Sequence, residues 1–481
     1  MKEDLKAQFQ QWRQDLYDCF YHRQDCLMDL LDALSSNRDA RSPAESLNPL
    51  FRRDYSAPYK AVEHFFQPSS ANLANSKQLE LEKHFIEVIS SLVPRPQVRP
   101  FQLLGLDVTP VPRPYAQTLA DRTFIYQPNT IRGNKPVNIG HPYSVLSILP
   151  ERVEPYDAPW TIPLLGRRVS SNQSGNDVEN DQINTVLNHP NLPWHNQLCV
   201  LVVDSSYSQR NFLQQQLQHE NLVTVVRVRS NRVFYQSPTI PKPTQHRGHP
   251  HWYGKRFDLK DDTSWHSPDA TMQTILTTCR GCQLTVTVSA WTQMLMRGKK
   301  DCPMHQAPFT LLQIQVTDTD GKLVFPPMWL IVIGQRRSEL TPLDSYQAYR
   351  QRFDLEHFLR FGKQRLLMTA YSTPEVQHEE NWVQLTLLAY VQLWAARELA
   401  VYLPRSWERY QQQRSSQANI TPSTVQRDFT RIISEIGTPA IAPKRRGRSP
   451  GRAIGQSQVQ RPRQQVVKKG TKSAPKKPVA A

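Results

Sequence analysis

The sequence predicts a mixed α/β protein: a helical start, a strand-rich middle, a helical return and a basic tail. Three observations carry this. Apolar residues recur at spacings of three, four and seven through residues 1–36, and helical spacing appears again through 77–93. Between 101 and 334 they gather instead into short runs bounded by turn-forming sequence. Helical texture returns across 344–368 and 378–402. A period near 3.6 marks helices, and a period of 2 or a short continuous run marks strands.

The elements follow in order. Leu5, Phe9, Trp12, Leu16 and Phe20, then Leu27, Leu30, Leu31 and Leu34, mark one apolar face, which Ser36, Asn37 and the Pro43 region end. KQLELEKHFIEVISSLV, 77–93, predicts a second helix stopped by Pro94-Arg95-Pro96. Residues 1–95 therefore read as a helical domain. FQLLGLDVT (101–109), RTFIYQP (122–128) and YSVLSILPE (143–151) predict three strands, followed by a polar loop that includes 170–181. LCVLVVDSS (198–206) is a continuous apolar run ending in an acid, as suits a strand buried on both faces. SQRNFLQQQLQHE (208–220) predicts a helix and VTVVRVRSNRVFY (223–235) another strand.

Three antiparallel strands and then a β-α-β unit match the first part of an RNase H-like core over 96–235. Residues 236–343 read as a β-rich insertion, with CQLTVTVSAW (282–291), FTLLQIQVTDTDGKLVF (309–325) and MWLIVIG (328–334) as strands. Asp320-Gly321 is placed to turn a hairpin. The helices of 344–405 would complete the core. Residues 406–443 form a helical or linker segment, and 444–481 a tail.

The chain has 481 residues, too many for one ordinary domain. Lys and Arg number 59 against 42 Asp and Glu, a net charge of +17, which raises nucleic acid as a partner. That charge is unevenly placed. Residues 444–481 hold 12 Lys or Arg and no acid, while the other 443 residues carry 47 basic and 42 acidic side chains. The tail has no apolar periodicity, so disorder is expected there, with phosphate binding or simple solubility as its role. No run of about 18 apolar residues occurs, and the start is polar and partly acidic. Six cysteines in this length do not make a disulfide scaffold. The expectation is a cytoplasmic protein without a membrane span.

Asp107 stands near the end of the first core strand and Asp204 at the end of the buried run ValLeuValVal. Strands one and four of an RNase H-like sheet are neighbours, so the two carboxylates would converge. Unpaired buried acids are costly, and a shared divalent cation with oxygen ligands would relieve that cost. The plainer roles are a turn acid for Asp107 and a helix cap for Asp204. In the segment 349–363, a helix of about 100° per residue puts Tyr349, Arg352, Glu356 and Lys363 on one stripe within about 60°. One acid among a tyrosine and two cations is the layout of a phosphate site. Helix ion pairs are the plainer reading of Arg352 and Lys363.

Tyr349-x2-Arg352-x3-Glu356-x6-Lys363 resembles the YREK signature of the DDE transposases of bacterial insertion sequences, with each spacing kept. LGLDVT and VVDSSY resemble the settings of that family's first and second Asp. The separation of 152 positions from Asp204 to Glu356 resembles the members with a β insertion domain. The resemblance covers roughly 95–405. It implies a nucleoid-associated enzyme that cuts double-stranded DNA at terminal inverted repeats and joins the freed 3′ ends to target DNA. It implies Mg²⁺, or Mn²⁺, held by Asp107, Asp204 and Glu356, with Tyr349, Arg352 and Lys363 on phosphates. It implies a homodimer pairing two ends, and end recognition or dimerisation for residues 1–95. A catalytically silent or domesticated DNA-binding derivative and an RNase H-like recombination nuclease are the other readings. The intact acids argue against the first, and the YREK spacing is unexplained by the second.

Two features of the insertion stay open. Cys279-x2-Cys282-x19-Cys302-x2-His305 has spacings that suit tetrahedral zinc, with free thiols as the plainer reading. Trp291 and Trp329 have an alternative to core packing, because transposases that pass through a hairpin intermediate stack a flipped base on an insertion-domain Trp.

Overall fold

The computed structural model describes residues 2–43, 57–65, 74–127, 137–152, 157–238, 252–278, 281–403, 420–443, 451, 453–457 and 460–468, without the side chains of 74–78. No helix among them is long and apolar enough to cross a membrane.

The apolar stripe of the N-terminus folds as two helices, α1 (Lys2–Cys19) and α2 (Gln24–Ser35), rather than one. The break sits at Arg23, whose φ of 52° is left-handed and cannot continue a helix. The short helix α3 (Ala57–Glu63) and then α4 (Ala74–Ser90) follow. The strands of the core are β1 (Gln102–Pro112), β2 (Thr123–Tyr126), β3 (Val137–Ile148) and β4 (Ile162–Arg168). Next come α5 (Gly175–Leu187), β5 (Cys199–Val203), α6 (Arg210–Gln216) and β6 (Leu222–Val228).

Two of these differ from expectation. The stretch 170–181 is not all loop: Ser174 accepts from the Asp177 amide and starts α5. Strand β4 pairs with β3 although Pro163 and Gly166 weaken its sequence signal.

The insertion contributes a small β7–β8 pair (Val233–Tyr235 with Arg256–Asp258), then β9 (Ala270–Thr277), β10 (Gln283–Met294), β11 (Phe309–Thr317) and β12 (Met328–Ile333). The last four do not form a separate sheet. β12 pairs antiparallel with β6, so one ten-stranded sheet runs β2-β3-β1-β5-β6-β12-β11-β10-β9, with β4 branching from β3. The expected turn at 320–321 is present, with Gly321 at φ 78° donating to the Asp318 carbonyl.

Helices α7 (Pro342–Gln351) and α8 (Phe353–Arg365) replace the single helix expected across 344–368, with the joint at Arg352. Then come α9 (Val376–Ala395) and α10 (Pro422–Ile436). The sheet divides two cores. On one side Leu103, Val200, Val202 and Val225 meet Tyr346, Tyr349 and Leu355 of α7 and α8. On the other, one continuous core joins α1, α2, α4, α9 and α10 to the sheet. Inside it the buried Arg13 guanidinium forks onto Asp32 at 2.7 and 2.9 Å, and Gln392 of α9 donates to Asp32 at 3.1 Å. Residues 1–95 thus share their core with the C-terminal helices.

Part of the tail departs from the disorder expected of 444–481. Residues 460–468 lie along the sheet edge at β2: the Gln464 amide donates to the Gln117 carbonyl at 2.8 Å and the Val467 amide to the Arg122 carbonyl at 2.7 Å. Buried Arg122 returns a bond to the Gln464 carbonyl at 3.1 Å. An unpaired strand edge binds main chain, which composition does not reveal.

The four-residue zinc set is not assembled. Cys279 lies outside the described residues. Cys282 is exposed before the start of β10, whereas Cys302 is buried beyond its end, so a twelve-residue strand at about 3.3 Å per residue separates them. His305 stacks on Trp252 with centroids 4.3 Å apart. Trp291 and Trp329 are each 3% exposed and pack with Trp265 and Phe257. They are core residues and present no face to a base.

Candidate active site

β1 and β5 run parallel, with Gly105 opposite Val202. Carrying that register two residues further brings Asp107 level with Asp204, on strands about 4.8 Å apart. Alternation puts both carboxylates on the face that holds Leu103, Val200 and Val202, against which α7 and α8 pack. Gly105 permits that packing. A Cβ there would lie 2.9 Å from Leu355 Cδ1, so the absence of a side chain lets α8 sit against β1. Glu356, the next residue along α8, is thereby carried to Asp107.

Arg352 occupies the space between these acids. Its guanidinium donates to Glu356 Oε1 at 2.7 Å and reaches Asp107 Oδ2 at 3.4 Å. Burial works against that charge, but Asp107, Tyr349 and Glu356 outweigh it and raise the Arg352 pKa. Asp107 Oδ1 accepts from the Val108 amide at 2.9 Å. Burial raises the Asp107 carboxyl; Arg352 opposes this, Asp204 and Glu356 add to it, and the result is about 6. Asp204 also fills its plainer role. It caps the 3₁₀ turn Ser205–Tyr207, accepting from the Ser206 amide at 2.8 Å and hydroxyl at 2.5 Å.

Tyr349 is buried at the end of α7. Burial raises its phenol, while Arg352 and Arg227 beside it pull the other way. Lys363 is half-buried, lowered by burial with Asp107 in opposition. The four signature residues therefore lie beside both aspartates; the helix that carries them is divided at Arg352, whose dihedrals stay helical, so Arg352 still meets Glu356 one turn on.

The sequence did not point to Glu179 on α5, a residue it placed in a loop. Glu179 is 3% exposed, and the Tyr207 hydroxyl donates to its Oε1 at 2.9 Å. Burial raises its carboxyl; Tyr207 opposes this and the charges of Asp204 and Asp107 add to it, to about 7. Tyr207 was visible in the sequence as the close of ValValAspSerSerTyr. Its partner's signal was obscured by the polar run around it.

A cation suits this donor set chemically. The acids offer hard carboxylate oxygens, and burial, with neighbouring acids adding to it, has raised the proton affinity of Asp107 and Glu179. Among the described residues, however, no three His, Cys, Asp or Glu side chains are gathered closely enough to hold a metal ion. Arg352 supplies the positive charge between Asp107 and Glu356. A divalent ion would have to displace that guanidinium.

Comparison with known proteins adds the following. A family model described as a DDE superfamily endonuclease matches residues 15–298, more than half of the chain. The matched span contains Asp107, Asp204 and Glu179 and stops before α7 and α8. No curated protein matches the chain.

Proposed function

Because this chain belongs to the DDE superfamily of endonucleases, we propose that it is a transposase that cuts DNA at the ends of an insertion sequence and joins those ends to target DNA. The observation that carries the reading is the convergence of Asp107 and Asp204, from adjacent parallel strands, with Glu356 and its signature companions. In this reading Asp107, Asp204 and Glu356 hold Mg²⁺ or Mn²⁺, which when bound stabilises the attacking and leaving oxygens of phosphodiester transfer. Tyr349 and Lys363 hold the phosphates beside the break, and Arg352 turns from the acids to the DNA backbone. Gly105 keeps Glu356 within reach of Asp107. Two ends must be paired, so the working form is a homodimer on terminal inverted repeats.

Asp204→Asn and Glu356→Gln should each abolish Mg²⁺-dependent cleavage of element-end DNA, by at least about 10²-fold, a typical loss when a group stabilising transition-state charge is removed. Retained cleavage in both variants overturns the assignment.

A further inference from the structure

A second feature begins at the residues that follow Asp204. The turn that follows Asp204 forms one wall of an open cavity of about 820 Å³ at the junction of the core with the insertion. Arg210 from α6, Arg229 and Arg232 from the turn after β6, and Arg297 from the insertion line it, and among the described residues no carboxylate does. Among the described residues the guanidinium groups of Arg210, Arg229 and Arg297 have no hydrogen-bond or ion-pair partner. Arg232 is fixed differently: it donates to the Ser208 carbonyl at 2.7 Å and hydroxyl at 3.1 Å, tying the cavity to the Asp204 turn. Burial, and then the charges of Arg210 and Arg229, lower the Arg232 pKa.

Four cations with no acid beside them make a positive site that an anion would complete, and exposed Arg229 and Arg297 can reach it. The repeated anion must be spaced to meet several arginines at once. The cavity lies within the ~300–1,000 Å³ range of small-ligand sites and has room for a short stretch of one strand.

We propose that this cavity is a subsite for one unpaired strand of DNA, held by its phosphates as it leaves the catalytic acids. The proposal rests on the transposase reading for the identity of the strand, and it assigns the insertion a direct part in holding DNA through Arg297. The contacts are to the backbone, so they carry no sequence preference.

The test uses the full chain in chelator, with anisotropy of a labelled oligothymidylate of roughly a dozen nucleotides. Arg229→Ala with Arg297→Ala should weaken single-strand binding and lower the slope of log affinity against log salt by about 1.4, about 0.7 for each phosphate no longer neutralised. Binding of a blunt duplex of the same length should be retained. Arg297→Ala alone should give about half that slope change, and it provides the reading if the double variant melts early. Unchanged single-strand affinity and slope, or an equal loss on duplex, overturns the proposal. Glu356→Gln separates the two readings. It should abolish cleavage, whereas Arg229→Ala with Arg297→Ala is read by oligonucleotide binding in chelator, so cleavage by Glu356→Gln reports on the acids and binding by the arginine variants on the cavity.

Discussion

Asp107 is held at an electrostatic cost in the absence of metal. Its carboxyl titrates near 6 in the folded protein against about 3.9 in an unfolded chain. Between those values the folded state binds more protons than the unfolded state, so stability falls as pH rises from about 4 to about 6. The full penalty applies above that, on the order of 2 kcal/mol for a side chain that keeps some solvent contact. Asp107→Asn should therefore raise the melting temperature of chelated protein at neutral pH and give no gain near pH 4, while ending cleavage. Equal melting curves at neutral pH would contradict this account. Glu179, raised to about 7, adds to the same trend at higher pH.

At the scale of elements, the approach of α8 to β1 sets the spacing of the acids. Gly105→Val would drive a side chain into Leu355 and Leu149, at 2.9 and 3.1 Å from the first added carbon. Such overpacking costs typically 1–3 kcal/mol. The expected result is a folded, less stable protein whose cleavage falls more than its DNA affinity. Cleavage at the wild-type rate would show that α8 does not set the site.

Much at this scale could be read from sequence. The end of β5 at Asp204 was legible because the apolar run stops at that acid. Asp107 was expected near the end of its strand but lies in the middle of β1, which runs on to Pro112 because its pairing with β3 continues past the acid. The adjacency of β1 and β5 followed from strand order. The joint at Arg352 was not legible: its φ of −50° and ψ of −30° are helical, and no Pro or Gly marks it. Helix α5 was hidden because its start is polar throughout, and with it Glu179.

For the whole molecule, the helices of residues 1–95 do not form a core of their own. Phe9, Trp12, Leu16 and Phe20 belong to the same core as Trp382, Tyr390 and Phe429. Removing residues 1–95 would uncover α9 and α10 and strand Gln392 without Asp32. The truncated chain should be insoluble or aggregate on expression. A soluble, cooperatively melting 96–481 fragment would show instead that the N-terminus is dispensable. Periodicity revealed these helices but not their partners, because an apolar stripe states only that a face is buried.

The join between β6 and β12 also governs motion. Hydrogen bonds run without interruption from the tail segment at β2, through β5 and its aspartate, to β9 at the far edge. Swinging the insertion outward as a rigid arm would tear the ladder from Trp329–Val228 to Ile333–Thr224. The plate therefore moves as one body. Helices α7 and α8 meet it mainly through side-chain packing, and they are jointed at Arg352. Widening that admits a DNA backbone to Asp107 and Asp204 is therefore expected from α7 and α8 rather than from the plate. Amide exchange should accordingly be faster in 342–365 than in β5, β6 and β12.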